Sequence, residues 1–311
     1  MVAGSYRSTG RIGCEMRWRG VSEIGLRVSG RWAAGVSVPR AVFAPRLRRI
    51  GVRTLSVLAL LVLWWAVTAA RLIDPQFLPG PSAVWHAFVR ANSWHQPAPG
   101  VPREVRGEQN YFLWEHLVAS LQRIGAGAGA AIVLGPIVGF VLGTSRIVAA
   151  VVEPYLNFLR ALPPLGYIGL LIVWFGIGDT AKIWLLFLAA FPPVVVATMA
   201  GVHGVSLDRI NAARSLGANR VQVVTRVLLP ATLPEVIGGI RVAIGFAWTT
   251  VVAAELNNGI PGIGGLAYLS GQRLDTALTL ACIIVIGLTA LALDAAIKGI
   301  GAIAVPWKGR P

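Results

Sequence analysis

Six stretches of about twenty residues, nearly free of charge, constrain this chain more than anything else in it. They fall near 55–71, 120–143, 155–176, 181–202, 234–256 and 276–298. That is the length of helix needed to cross the hydrocarbon core of a bilayer, and a backbone without water must satisfy its own amides and carbonyls. Of the 311 residues 55% are hydrophobic and only 13% charged, too little polar surface to cover a soluble globule. The expected fold class is an all-α polytopic membrane protein with six transmembrane helices.

The formal net charge of +15 would suit a nucleic-acid partner, but its placement argues for membrane topology instead. Arginine recurs from Arg7 to Arg53 against only Glu15 and Glu23, so residues 1–53 are expected to be a poorly ordered cytoplasmic segment. The apolar run begins too late for a cleavable signal, and the alternative account of this head is a start assigned upstream of the native one. Alternation of the spans then puts 144–153, the loop 203–233 and the tail 303–311 in the cytoplasm of a multi-pass plasma-membrane protein. The loop 72–119 falls outside, although it carries Arg90, Arg103 and Arg106. Cys14 and Cys282 read as unpaired thiols, and His86, His95, His116 and His203 lack ligand spacing, so neither a metal site nor a catalytic set is expected.

The second span reads "GAGAGAAIVLGPIVGFVLG" and places Gly135, Gly139 and Gly143 on one helical face, a strip that lets two helix backbones approach closely. The third and fourth spans carry Pro163–Pro164 and Pro192–Pro193, which kink or break helices.

The stretch "NAARSLGANRVQVVTRVLLPATLPE", residues 211–235, is polar between two apolar runs. Ser206 or Asp208 can cap a short helix on which Ala212, Ala213, Leu216 and Gly217 form a face of mostly small residues. Pro230 is expected to stop this segment, with Thr232 and Glu235 at capping-box spacing and Pro234 in the first turn of the next span. An ordinary interfacial linker explains the charges but not Ala-Ala-x-x-x-Gly followed at fixed distance by Leu-Pro.

At these residues the chain resembles the permease subunits of bacterial ABC importers, whose cytoplasmic signature is Glu-Ala-Ala, three residues, Gly, nine residues, then Ile-x-Leu-Pro. Asn211-Ala212-Ala213, Gly217, Val227 and Leu229-Pro230 fall in that register, with Asn211 in place of Glu and Val227 in place of Ile. "FLPGPSAVWHAF", "LRALPPLGYIGLLIVWFGIGD" and "LPEVIGGIRVAIGFAWTTVVAAEL" are similar to the taurine, aliphatic-sulfonate and nitrate branch, taurine-type permeases in particular.

The resemblance implies a type I ABC importer permease fold (MetI-like) over residues 54–302. It implies a homodimeric pathway for taurine or a related alkanesulfonate, with nitrate or another small organic anion as the alternative cargo. Two ATP-binding subunits would dock on Asn211, Ala212, Ala213, Leu216, Gly217, Leu229 and Pro230, and an extracytoplasmic binding protein would deliver substrate. ATP and Mg would bind the partner ATPase, leaving this chain a non-enzymatic subunit without cofactor. Consistent with that, the sequence has no G-x-x-x-x-G-K-[ST] loop. An ion-coupled secondary transporter would need inverted repeats and paired intramembrane carboxylates, which the sequence does not display.

Polar groups inside spans are default functional candidates because they are costly there. Trp248, Thr249, Thr250 and Glu255 could line the path. Alternatively the threonines bond their own helix and Glu255 reaches interfacial water. Glu235, Arg241, Arg160 and Asp294 fit ion pairs or snorkelling.

Overall fold

A computed structural model describes residues 46–96 and 102–307. The basic head before Arg46, with Cys14, and the tail charges Lys308 and Arg310 lie outside the described residues. The contacts divide the chain after Ser56: residues 46–56 are the opening turns of helix α1 (Arg46–Ala69), and everything from Val57 onward is one unit.

After α1 come α2 (Pro81–Ala91) and a two-stranded antiparallel hairpin, β1 (Trp94–His95) with β2 (Val105–Arg106), in which Trp94 faces Arg106. Then follow α3 (Leu113–Thr144), α4 (Arg146–Ala161), a 3₁₀ turn (Pro164–Tyr167) leading into α5 (Ile168–Phe175), and α6 (Asp179–His203). The short α7 (Leu207–Ser215) and α8 (Arg220–Val223) precede a π-helical turn (Val224–Leu228) and α9 (Leu229–Ala254), with α10 (Ile263–Gln272) and α11 (Thr276–Ala304) completing the unit. The all-α membrane fold class is thus realised, with one small hairpin added in the loop 72–119.

The count of six spans is not confirmed. Among the described residues four helical segments are long and apolar enough to cross a membrane, or five if a bent pair counts as one. The apolar part of α1, Thr54–Ala69, is shorter, at about 24 Å by helical rise against a core of about 30 Å. The third expected span, 155–176, is the bent pair: α4 and the 3₁₀–α5 segment meet at 97°. Leu162 sits in the extended region at φ −76°, ψ 128°, because the ring of a following proline excludes the helical region for the residue before it. Pro192 and Pro193 do not break α6, which runs unbroken around them. Packing on both sides supports that continuity: Ala190, Val194 and Val195 are fully buried.

The centre of the unit is the α3–α6–α9 stack, whose core joins Ile124, Ala128 and Ala131 of α3 to Leu186, Ala190 and Val194 of α6 and Ala243, Ala247, Trp248 and Val251 of α9. Gly135, Gly139 and Gly143 do face another helix. A Cβ placed on them would lie 2.7 Å from Val194 Cγ1, 2.6 Å from Thr198 Cβ and 2.6 Å from Val202 Cβ, all on α6. Two of the arginines that argued against the loop 72–119 lying outside are paired with acids. Arg90 bonds Glu108 at 3.3 Å and Asp275 at 2.6 Å, and Arg106 bonds Glu115.

The glycine strip makes a direct prediction. Gly139→Leu should cost about 2 kcal/mol or more, since both Thr198 and the Val195 carbonyl stand in the way. Gly125→Leu, at an exposed position with nothing within 4 Å, is the control and should leave the thermal unfolding midpoint of the purified protein unchanged.

Candidate functional site

The loop joining α6 to α9 begins as a helix and ends it abruptly. Ser206 occupies the N-cap position without a side-chain hydrogen bond. At the other end Gly217 adopts φ +85°, its N–H donates to the Arg214 carbonyl at 2.9 Å, and the Ala218 N–H donates to the Ala213 carbonyl at 3.0 Å. This pair of bonds closes a helix C-terminus around a left-handed residue, a conformation that glycine adopts without steric cost. Leu216, just before it, is 89% exposed. Asn211 and Ala212 are exposed and Ala213 half-buried.

The break therefore lies at 216–219 and not at Pro230. Asn219 and Gln222 form a reciprocal capping box, with Gln222 N–H to Asn219 Oδ1 at 2.8 Å and Asn219 N–H to Gln222 Oε1 at 2.9 Å. Helix then continues from Arg220 to Ala254. The two prolines are absorbed within it: Leu229 N–H reaches back to the Val224 carbonyl in a π turn, and Pro230 follows inside the continuous helix. Thr232 is buried and bonds the Leu229 carbonyl at 3.0 Å, so the expected Thr232–Glu235 box does not form.

At the opposite end of the stack lies a buried charge network. Glu255, with 0% exposure, ends α9. Its carboxylate accepts from Arg123 Nη1 at 2.6 Å, from Ser120 Oγ at 2.7 Å and from the Gly264 N–H at 2.9 Å. Arg123 Nε also donates to Asp179 Oδ1 at 2.8 Å, and Lys182 Nζ lies 3.7 Å from the same oxygen while donating to the Asn258 carbonyl at 2.6 Å. Two cations and two carboxylates make the cluster neutral, which is the condition for burying charge at tolerable cost. The loop after α9 is tied down by the same side chains: Ser120 Oγ accepts from the Ile263 N–H and His116 Nδ1 from the Gly262 N–H, each at 3.0 Å. His116 Nε2 lies 3.1 Å from the Glu108 carbonyl, so the partners assign a neutral ring with its proton on Nε2.

Of the side chains considered for a path, Glu255 thus lies inside an ion pair. Thr249 is exposed and bonds its own helix, to the Gly245 and Phe246 carbonyls at 3.3 and 3.0 Å. Thr250 and Trp248 are buried, and the Trp248 indole N–H has no hydrogen-bond partner among the described residues. Trp248 and Thr249 border a cleft of about 250 Å³ between α9 and α11. Arg241 pairs with Asp294, which also takes Lys298 Nζ at 2.6 Å.

Sequence reasoning passed over Arg123, Ser120, His116, Asp179 and Lys182. Arg123 carried a usable signal, a cation at the edge of a span, where an unpaired charge is expensive. Its pairing with a residue 132 positions away carried none.

Residues 131–308 match the family model described as "Binding-protein-dependent transport system inner membrane component". The chain is 38% identical over 268 residues to the taurine transport system permease protein TauC of Escherichia coli (strain K12), covering 85% of this chain and 92% of that protein. It is 30% identical over 249 residues to the nitrate import permease protein NrtB of Synechococcus elongatus, covering 79% and 86%. A solved structure described as an inward-facing conformation of the MetNI methionine ABC transporter aligns at TM-score 0.50 and 22% identity, over 62% of this chain and 94% of that one, a likeness of fold alone.

The charge network predicts an order of stabilities. Glu255→Ala strips a buried guanidinium of its buried partner and should cost about 3 kcal/mol or more. Asp179→Asn, whose side chain is 59% exposed, should cost less than about 1 kcal/mol. Denaturation midpoints of the two purified variants check the ranking, and equal midpoints would refute it.

Proposed function

Because this chain belongs to the family of binding-protein-dependent transport system inner membrane components, the permeases of ABC importers, we propose that it forms the translocation pathway for taurine or a related alkanesulfonate. The 38% identity to a taurine transport permease across most of both chains supports that cargo. Nitrate is the second reading, supported by the likeness to a nitrate import permease. Two copies of the chain enclose the path, an extracytoplasmic binding protein delivers substrate, and both termini face the cytoplasm.

The loop around α7 couples transport to ATP hydrolysis in two partner subunits, which hold the ATP and Mg. The observation that carries this is Leu216, an apolar side chain 89% exposed at the tip of a helix whose end is rigidly closed. A large apolar group held out in this way has a surface to gain from a partner, about 2 kcal/mol if fully covered. The Ala212–Ala213 face beside it leaves room for close contact. Asn211 bears no charge, so the docking rests on shape. Beyond Gly217 the backbone is helical from Arg220 through α9, and movement of the docked loop is therefore delivered into a core helix. ATP-driven closure of the partners then biases the spans between two states.

Gly217 has its own reason to be glycine, so the sharper test is Leu216→Asp. That variant should keep the wild-type unfolding midpoint, lose co-purification of the ATP-binding subunit by at least about tenfold, and lose ATP-driven uptake with it. Full co-purification would sink the docking claim. In reconstituted liposomes the wild-type complex should accumulate taurine with ATP and not with a proton gradient alone. Uptake of nitrate but not taurine would replace the cargo.

A further inference from the structure

Four intramembrane charges, Glu235, Arg241, Arg160 and Asp294, looked alike in sequence, and the structure separates them. Arg241 and Asp294 pair with each other. Arg160 does not: its side chain has no hydrogen bond or ion pair among the described residues, and it is exposed. It stands in the last turn of α4, two residues before the chain bends by 97°. Non-helical backbone at membrane depth is tolerated where it lines a cavity or is buried in protein, and here a cavity adjoins it. Arg160 borders an open cleft of about 640 Å³ between α4, α6 and α9, walled mainly by Pro193, Val196, Ala197, Val242 and Phe246.

Depth makes this arginine unusual. Pro193 stands about 21 Å along α6 from Asp179 and about 15 Å from His203, so the cleft wall at this level is far from either end of the span. The apolar walls offer a guanidinium there no acceptor. The other charged side chain bordering the cleft is Glu235, packed against Gly201. Gly201 is eight residues further along α6 than Pro193, about 12 Å by helical rise. Glu235 therefore borders the end of the cleft nearer α7, and no ion pair joins it to Arg160 among the described residues.

We propose that Arg160 is the anion-binding station of the pathway, receiving a small oxyanion head group such as a sulfonate at mid-membrane. This rests on the reading of the chain as a permease for a small anion and names the residue that selects the charge. The planar fork of a guanidinium can bond two oxygens of a sulfonate at once, while the apolar walls strengthen the attraction and hold nothing else in place. One bare cation in an open cleft attracts the anion without holding it fast, as a path that must also release its cargo requires.

The test uses the full complex of permease, ATP-binding subunit and binding protein in liposomes, with radiolabelled taurine. Wild-type uptake tests the cargo, and the ratio of variant to wild type tests the station. If wild type carries nitrate instead, the same ratios are measured with nitrate. Arg160→Gln should cut uptake at least about tenfold while the ATP-binding subunit still co-purifies and ATP hydrolysis stimulated by the binding protein stays within about twofold. Arg160→Lys, which keeps the charge but loses the fork, should fall between. Wild-type uptake by Arg160→Gln overturns the proposal. So does loss of the assembled complex in that variant, which would make Arg160 a structural contact. Restoration of uptake by Arg160→Glu combined with Glu235→Arg would assign it to an ion pair. A deficit seen in vesicles containing phosphatidylglycerol but absent in pure phosphatidylcholine would assign it to a lipid head group.

Discussion

Backbone contact between α3 and α6 sets the positions of nearly everything else in the unit. Because Gly135, Gly139 and Gly143 have no side chains, Val194, Thr198 and Val202 press against bare helix. In a bilayer the surrounding lipid is as apolar as leucine, so close van der Waals contact takes the part that water exclusion plays in a soluble core. That contact fixes the register of the two helices along their whole shared length. Arg123, in the first half of α3, consequently meets Asp179 at the start of α6, and Gly127, one turn further along α3, lies against the α6 backbone.

The two ends of the stack are built on opposite principles. Around Glu255, four charges that sum to zero are matched by hydroxyl and backbone partners, and the loop into α10 wraps them closely enough that Gly262 has no room for a Cβ. Removing any one buried member leaves another uncompensated, so this end resists deformation. At the α7 end the chain leaves apolar surface exposed at Leu216 and passes through a π turn before the long run of α9. One end closes around its charges, while the other leaves apolar surface exposed. Between them Arg160 faces an open cleft at the only bent pair among the described helices.

Much of this was legible from local pattern. The apolar runs located α3, α6, α9 and α11, and four-residue glycine spacing pointed to the packed face. Both are properties of one helix read along its own axis. The break at Pro163–Pro164 and the continuity through Pro192–Pro193 could not be told apart that way, since the same dipeptide either ends a helix or is carried within one by its packed neighbours. Likewise Leu229-Pro230 reads as a stop in isolation, yet the helix passes through it by way of a π turn.

The sequence by itself determined that the chain is a bundle of apolar helices with a polar loop of fixed spacing, because hydrophobic length and residue periodicity are set by consecutive residues. Its family, too, was readable from that spacing. Only the tertiary structure decided which charges are satisfied. Arg123 and Glu255 stand 132 positions apart and bond at 2.6 Å, Arg241 finds Asp294, and Arg160 finds no partner among the described residues. Pairing is a matter of which helices are adjacent and at what register. For charges far apart in sequence, that is settled by side-chain packing between helices, which no single stretch of sequence contains.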